Sequence, residues 1–305
     1  MSRKLAIPAI AAALALSLAG CSQAEPGAEG GAGSPAPAAA GDVRFDVSTV
    51  EVVPELAEKV PAAIKEAGVL RVGASTDYAP AEFRAEDGQT PVGYDVELTG
   101  ALAAVLGLKA QVTHAQFDSI IPAIGSKFDL GISSFTVTEE RTKVTNMIDY
   151  INVGSSYAVQ AGNPKAVDPE NICGVRVGVL TGSYQQDYLE NLNTDKCKDK
   201  PIDIAAFDLQ SEATTNLSSG LLDAFLADST VSGYAVTLTG GSLEVVGDII
   251  EAEAQGIVVA KDDQELTDVV AAAMQHLMDD GTWKTILTAW GSGDAALSTA
   301  KVNSK

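Results

Sequence analysis

The stretch ISSFTVTEER, residues 132–141, places hydroxyl side chains and a lone arginine directly after a buried-strand pattern: Ser133, Ser134, Thr136, Thr138 and Arg141. One interpretation is a helix start. Thr136 or Thr138 would cap the helix, and the acidic pair that follows suits the positive end of its dipole. The other is a clamp for the carboxylate of a small ligand, because a planar guanidinium can donate two parallel hydrogen bonds to it. This stretch alone favours neither.

A second loop, LTGSY at residues 180–184, has the features of an anion-binding turn. It lies between a strand pattern and a helix pattern, so the helix start offers free backbone N–H groups. Gly182 permits close approach of the backbone to a ligand. The spacing of Gly174, Gly178 and Gly182 fits neither nucleotide-binding fingerprint, so nucleotide binding is not predicted.

Both stretches belong to a chain in which strand-like and helix-like segments alternate. Strands are predicted at VLRVGAS, KAQVTHA, DLGISS, VRVGVL and GIVVA. Apolar residues at helical spacing predict one helix with Leu98, Leu102, Val105 and Leu106 inward, and a late helical region with Leu266, Val269, Val270, Met274, Leu277 and Met278 inward. Two such runs predict an α/β fold of two lobes with parallel-type sheets, whose ligands bind beyond the carboxyl ends of strands.

The N-terminal sequence has the pattern of an export signal. Arg3 and Lys4 precede the apolar run LAIPAIAAALALSLAG, which predicts a signal peptide over residues 1–20. The ending LAGC resembles a bacterial lipobox, which implies cleavage before Cys21 and lipid attachment to it. Residues 21–48 are rich in Gly, Ala, Pro and Ser and predict a flexible linker. We therefore expect a protein anchored by lipid to the outer face of the cell membrane.

Charge and cysteine content narrow the function further. The net charge is -21, or -21 - 2 = -23 without residues 1–20, which argues against nucleic-acid binding. If Cys21 carries lipid, Cys173 and Cys197 remain as a pair, and an oxidising compartment favours a disulfide. Only His114 and His276 are present, so neither a metal nor a cofactor is predicted.

Six motifs in order give the chain a resemblance to a known family: LRVGASTDYAPAEF, GYDVELTGALAAVLGL, FDSIIPAIGSKFDLGISSFTVTEER, VRVGVLTGSYQQ, LLDAFLAD and DDGTWKTILTAWG. The chain resembles the bacterial extracellular solute-binding proteins of family 3 over about residues 66–292. The resemblance implies a two-lobed, type II periplasmic-binding-protein-like fold with two hinge strands, near residues 153–160 and 253–258. Lobe 1 would comprise residues 49–155 plus 257–305, and lobe 2 residues 156–256. It also implies a monomer that is not an enzyme and delivers a polar amino acid to an ABC permease.

The resemblance assigns roles to residues of the first lobe. Arg141 would bind the ligand α-carboxylate, and Thr136 would add hydroxyl and backbone N–H contacts to the same group. Ser133 and Ser134 would flank the ligand, with the Ser133 carbonyl accepting from the α-ammonium.

Further residues complete the implied site. Ser183 and Tyr184 would donate to the carboxylate from the second lobe. Asp228 would pair with the α-ammonium, although a helix N-cap before STVSGY is an alternative role. Tyr78 and Phe117 would form the apolar walls around the ligand side chain.

Two departures from the family pattern and three alternative functions leave the ligand open. Ala81 replaces a frequent aromatic, and Ser75 stands where binders of basic amino acids often carry an acid, which weakens a lysine or arginine assignment. Asp77 either compensates or caps its loop. The alternatives are a cyclohexadienyl-dehydratase-like enzyme, a sensor module with a separate partner, and a receptor for an opine or another small amine. Arg141 disfavours a ligand without a carboxylate, because a buried unpaired guanidinium is costly.

Overall fold

The computed structural model describes residues 44–305, so the predicted signal peptide, Cys21 and most of the predicted linker lie outside the described residues. The strands are β1 (Val69–Ala74), β2 (Phe83–Arg84), β3 (Pro91–Val92), β4 (Lys109–His114), β5 (Leu130–Gly131), β6 (Thr145–Gln160), β7 (Arg176–Leu180), β8 (Asp203–Phe207), β9 (Ala224–Asp228), β10 (Leu243–Ala260) and β11 (Val302–Asn303). The helices are α1 (Pro54–Ala57), α2 (Ala62–Ala67), α3 (Tyr94–Val105), α4 (Phe117–Ala123), α5 (Glu139–Val144), α6 (Tyr184–Asp195), α7 (Gln210–Ser218), α8 (Ser229–Leu238), α9 (Gln264–Asp279) and α10 (Thr282–Ala289).

The main sheet confirms the predicted α/β class. Its strand order is β4-β1-β5-β10-β6-β9-β7-β8, with β11 also paired to β6. Strand β1 pairs in parallel with β4 and β5, and β7 pairs in parallel with β8 and β9. Each parallel group is linked by helices, as βαβ connections require. The two groups are the sheets of a first and a second lobe.

Two long strands connect the lobes. Strands β6 and β10 pair antiparallel, from Thr145 opposite Ala260 to Gln160 opposite Leu243. Strand β5 pairs with the last part of β10, and β9 pairs with the last part of β6. The register of the long pair shifts three times between Val246 and Gly256. Such irregularities bend strands locally, which suits a crossing between lobes.

Both helices that begin at the predicted ligand loops have side-chain caps. The Thr138 hydroxyl accepts a hydrogen bond from the Arg141 N–H at 3.2 Å, so Thr138 is the cap that the sequence offered for α5. The Ser183 hydroxyl accepts from the Gln186 N–H at 3.2 Å and caps α6. These caps satisfy backbone donors that a helix start leaves free and fix where the loops end.

The apolar faces predicted from helical spacing lie in the core. On α3 and directly after it, Leu98, Leu102, Val105 and Leu106 are all buried. On α9 the predicted residues are buried except Met278, which is half-buried. The late helical region is two helices, because Gly281 adopts a left-handed φ of 81° between α9 and α10.

The predicted disulfide is confirmed within the second lobe. Cys173 and Cys197 are bonded, with Cα atoms 5.2 Å apart and a sequence separation of 24. Cys197 belongs to an apolar cluster with Tyr157, Val177 and Leu189. The bond therefore ties the segment before β7 to the end of α6.

Candidate functional site

The predicted ligand residues converge on one small cavity between the lobes. Its lining comprises Tyr78, Phe117, Ser134, Thr136, Arg141, Leu180, Ser183, Tyr184, Gln185 and Asp228. Eight of the nine predicted ligand residues are among them, and Ser133 is not. The cavity volume is about 10 Å³, room for roughly one water molecule. The two lobes are therefore closed tightly around these side chains.

Arg141 projects from α5 to the seam between the lobes. Its Nη1 donates to the Thr136 carbonyl at 2.8 Å, and its Nη2 donates to the Gly182 carbonyl of the second lobe at 3.1 Å. Within residues 44–305 it forms no salt bridge with a carboxylate. Burial lowers the pKa of its guanidinium, while the more distant charges of Asp187 and Asp228 raise it. The group stays charged, since arginine does not deprotonate in proteins.

Asp228 supplies the opposite charge from the end of β9. It is 4% exposed, and its two carboxylate oxygens accept from the side-chain amides of Gln185 at 2.8 Å and Gln255 at 2.7 Å. Burial raises the pKa of the Asp228 carboxyl to about 6, against the opposing effect of those hydrogen bonds and of Arg141. It occupies the N-cap position of α8, but its side chain makes no capping hydrogen bond. The carboxylate therefore faces the cavity region and not the helix start.

Aromatic rings line the first-lobe side of the cavity. Phe117 stacks on Phe135 with centroids 4.6 Å apart, and the Arg141 Cζ lies 5.5 Å and 5.6 Å from their centroids. The Tyr78 hydroxyl accepts from the Asp228 N–H at 3.1 Å. The rings thus hold the guanidinium by cation–π attraction and reach across to the second lobe.

The side chains at the start of α6 have different hydrogen-bond partners. The Ser183 hydroxyl is used as the helix cap, whereas the Tyr184 hydroxyl donates to Glu251. Gln185 holds Asp228 and also donates to the Ser155 hydroxyl at 2.9 Å. Ser183, Tyr184 and Gln185 of this helix start line the cavity, and a helix start is a favourable place for an anion.

Ser133 and Ser134 differ in orientation although they are neighbours. The Ser133 hydroxyl accepts from the Ser75 N–H at 2.9 Å and donates to Glu82 at 2.5 Å. Its proton is therefore used in a hydrogen bond within the protein. Ser134 has a left-handed φ of 50°, and its N–H donates to Asp95 at 3.0 Å. Its buried hydroxyl has no hydrogen-bond partner in the described part of the chain. A ligand donor could satisfy that oxygen.

The lobes also meet beyond the cavity. The Asp77 carboxylate of the first lobe accepts from the Ser211 N–H at 2.8 Å and so caps α7 of the second lobe. The Gln116 amide donates to Asp208 at 2.9 Å. A larger cavity of about 600 Å³ lies here, with Asp77, Ala79 and residues of α7 in its lining. Tyr78, between Asp77 and Ala79 in the chain, lines the smaller cavity.

Several residues of the site were missed in the sequence. Leu180 and Gln185 lie in quoted motifs, and the position of Gln185 in the first turn of α6 was a usable signal. Gln255 is on β10 and reaches Asp228 from 27 residues away. Glu82 contacts Ser133 across 51 residues and Asp95 contacts Ser134 across 39 residues. Local sequence patterns do not reveal contacts over such separations.

The chain was compared with known proteins. The model of the bacterial extracellular solute-binding proteins, family 3, matches residues 70–293. The arginine-binding protein ArgT of Corynebacterium glutamicum is 34% identical over 255 residues, covering 82% of this chain and 83% of the relative. An ancestral arginine-binding protein bound to arginine superposes with a TM-score of 0.68 at 34% identity, covering 73% of this chain and 98% of that one.

A further structural relative is AncCDT-1, an ancestral amino acid-binding protein and a precursor of cyclohexadienyl dehydratase. Its TM-score is 0.66 at 30% identity, with 75% of this chain and 97% of that chain covered.

The chain therefore belongs to family 3 of the bacterial extracellular solute-binding proteins. It is an extracytoplasmic binding protein of the kind that serves ABC importers, and its two-lobed fold agrees with its solved relatives. None of the helices within residues 44–305 has the length and apolar character needed to cross a bilayer.

Proposed function

We propose that this protein captures L-arginine between its two lobes and presents it to an ABC permease. Arg141 binds the α-carboxylate and Asp228 binds the α-ammonium. The observation that carries this proposal is that a half-buried cation and a buried anion line one cavity, where Arg141 has only carbonyl partners and Asp228 only amide partners. A zwitterion supplies the missing charge to each, which lowers the cost of burying both.

The other residues complete the proposed contact set. Thr136, Ser183 and Tyr184 surround the carboxylate end, and the unpaired Ser134 hydroxyl accepts from the ammonium together with the Ser133 carbonyl. Tyr78 and Phe117 sandwich the ligand's methylene chain, because flat rings pack well on an extended aliphatic stem.

The choice of arginine rests on the relatives and on the acids at the lobe seam. A binder of 34% identity and a superposable ancestral protein are both named for arginine. Ser75 is not the acid expected for a basic ligand, but two acids lie at the seam. Asp77 is the chain neighbour of Tyr78, and Asp208 accepts from the amide of Gln116, the chain neighbour of Phe117. A cationic side chain directed between the rings toward these acids gains favourable electrostatics.

We also propose that Cys21 carries the lipid anchor, that residues 21–48 tether the body to the membrane, and that the protein acts as a monomer and not as an enzyme. The relatives are binding proteins, which supports the last point. The dehydratase alternative requires a general acid within reach of the ligand. Both oxygens of Asp228 are already held by amides, which disfavours that role.

A thermal-shift panel tests this proposal. The chain with Cys21→Ser is unfolded, freed of ligand and refolded, then titrated with the common amino acids, agmatine and cyclohexadienyl acids. Arginine at 100 times its dissociation constant should add about 2.7 kcal/mol of stability. A shift confined to basic amino acids, with the ligand recovered unchanged, supports the proposal. A shift only with other amino acids overturns the ligand assignment, and a chemically altered cyclohexadienyl acid overturns the binding role.

A further inference from the structure

Two buried carboxyl groups lie directly behind the ligand cavity. Glu82 follows the Tyr78 loop and is 0% exposed, and Asp95 in the first turn of α3 is 1% exposed. Neither is in the cavity lining and neither forms a salt bridge within residues 44–305. Buried carboxyls without a cationic partner are costly unless they hold a proton, so their retention calls for a specific role.

Glu82 holds the first strand-end serine. The Ser133 hydroxyl donates to Glu82 Oε1 at 2.5 Å and accepts from the Ser75 N–H at 2.9 Å. This chain of hydrogen bonds ties the end of β1 to the segment after β5. Its geometry depends on an acceptor at Oε1.

Asp95 holds the second serine. Its Oδ2 accepts from the Ser134 N–H and from the Tyr150 hydroxyl, both at 3.0 Å. Ser134 has a φ of 50°, a conformation that non-glycine residues adopt only when their surroundings hold it. The Asp95 carboxylate provides that hold, and Ser134 is the member of the pair that lines the cavity.

The remaining oxygens of the two groups lack any other partner. Glu82 Oε2 and Asp95 Oδ1 are buried and accept no hydrogen bond from the described residues. The two residues are neighbours in space, because the Asp95 N–H donates to the carbonyl of Ala81, next to Glu82, at 2.9 Å, and the two side chains hold adjacent serines. Two neighbouring buried carboxylates cannot both be ionised at low cost. The described residues form no metal-binding group of His, Cys, Asp and Glu that could bridge them.

We propose that Glu82 and Asp95 share one proton, and that this carboxyl pair positions Ser133 and Ser134 for ligand binding. A proton on Oε2 of Glu82 donates to Oδ1 of Asp95 and leaves Oε1 free to accept from Ser133. Every polar atom of the pair then has a partner. Both are positioning residues, since they act on the ligand through the serines.

The surroundings place the proton on Glu82. Burial raises the pKa of both carboxyls, to about 7 for Asp95 and well above its ordinary value for Glu82. Asp95 keeps its charge more readily because the Ser134 N–H, the Tyr150 hydroxyl and the start of α3 stabilise it.

The other titratable groups around the pair favour retention of the proton. Asp228 faces it from β9, and its negative charge raises the pKa of both carboxyls. The phenols of Tyr78, Tyr94 and Tyr150 face it too, and burial holds their pKa values well above the ordinary value, so they are neutral.

The consequence for ligand binding is a loss of affinity at alkaline pH. When the shared proton leaves, the two carboxylates repel and the acceptor at Ser133 moves. This readout rests on the proposed arginine binding, so a second, ligand-free readout accompanies it.

The test compares the wild-type chain with Glu82→Gln, whose amide donates to Asp95 and accepts from Ser133 but has no proton to lose. Glu86→Gln, an exposed glutamate in the same loop, is the matched control. Dissociation constants for L-arginine are measured from pH 6.5 to 10. The wild type and Glu82→Gln should agree within about threefold at pH 6.5. Above the pKa of the carboxyl pair, the ratio of the wild-type dissociation constant to that of Glu82→Gln should rise by up to about tenfold per pH unit, the limit for one linked proton.

The ligand-free readout is the ¹³C carboxyl titration of the labelled chain, with the Glu82 signal identified by its loss in Glu82→Gln. The expected result is a Glu82 signal at the protonated position at pH 7.5. A Glu82 signal that titrates below pH 5, or a constant ratio of dissociation constants up to pH 10, overturns the proposal. If the wild type does not bind arginine at pH 6.5, the proposed ligand fails and the carboxyl titration alone decides.

Discussion

The cavity is lined by one half-buried cation and one buried anion, each held by neutral partners. Arg141 donates to two backbone carbonyls, and Asp228 accepts from two side-chain amides. Neutral partners fix the geometry of each group but leave most of its charge uncompensated in a site of low dielectric. At the scale of single residues, we expect this arrangement to favour ligands that carry both charges at a short separation.

The titration of Asp228 makes binding dependent on pH. Burial raises the pKa of this carboxyl to about 6, and the ligand ammonium pairs only with the ionised form. Protons therefore compete with the ligand, and affinity for L-arginine should fall by up to about tenfold per pH unit below pH 6. Asp228→Asn should bind about 100-fold more weakly at pH 7, since a partner of a buried charge is lost. Its affinity should be constant between pH 4.5 and 6.

Calorimetric titration across this range provides the measurement, with Asp199→Asn, an exposed aspartate of the same lobe, as the control. The control should follow the wild type at every pH. A wild-type affinity that does not change between pH 6 and 4.5 would contradict the assignment of the ammonium to Asp228.

At the scale of elements, three helix starts meet the seam between the lobes. Helices α5 and α6 carry their own caps, Thr138 and Ser183, whereas α7 takes its cap from Asp77 of the opposite lobe. A cap contributes roughly 1 kcal/mol to a helix. Because Asp77 can cap α7 only when the lobes meet, that contribution favours the closed form.

Asp77→Ala should therefore weaken arginine binding about fivefold, the equivalent of roughly 1 kcal/mol. It should also raise the radius of gyration of the ligand-free protein in X-ray scattering, as more molecules open. Asp77→Asn keeps a capping oxygen, so its ligand-free radius of gyration should match that of the wild type, while its affinity for arginine should still fall because the negative charge near the ligand's cation is lost. An unchanged arginine affinity in Asp77→Asn would mean that the charge of Asp77 does not act on the ligand.

Local sequence patterns predicted most of the helices and strands, because the residues that determine each element lie within it. Alternating strand and helix patterns gave the α/β class, and apolar spacing gave the buried face of α3. Two predictions differ in extent. The DLGISS strand is confined to Leu130–Gly131, because Ser134 turns left-handed soon afterwards. The late helical region breaks at Gly281.

The family resemblance supplied the positions of the proposed site, and eight of those nine residues line one cavity. What the sequence did not reveal are the contacts made over long separations. Gln255 reaches Asp228 from the second long strand, and Glu82 reaches Ser133 across 51 residues. Such pairs depend on how whole elements pack, which no local spacing encodes.

At the scale of the whole molecule, the small cavity implies motion. A volume of about 10 Å³ admits no amino acid, so the lobes must separate to let one enter. The two long strands with their register shifts connect the lobes, so we expect such a rotation to occur about them. Contacts that both lobes make to one ligand then favour the closed form, which is how binding and closure become linked.

The most direct test of the central claim is the ratio of the dissociation constants of agmatine and L-arginine, in the wild type and in Arg141→Ala. Agmatine is arginine without its carboxylate. If Arg141 binds that group, arginine should bind the wild type at least about 100-fold more tightly, and the ratio should fall toward one in Arg141→Ala. Arg176→Ala, an exposed arginine of the second lobe, should keep the wild-type ratio. A ratio that survives in Arg141→Ala would show that the carboxylate is bound elsewhere and would contradict the proposed site.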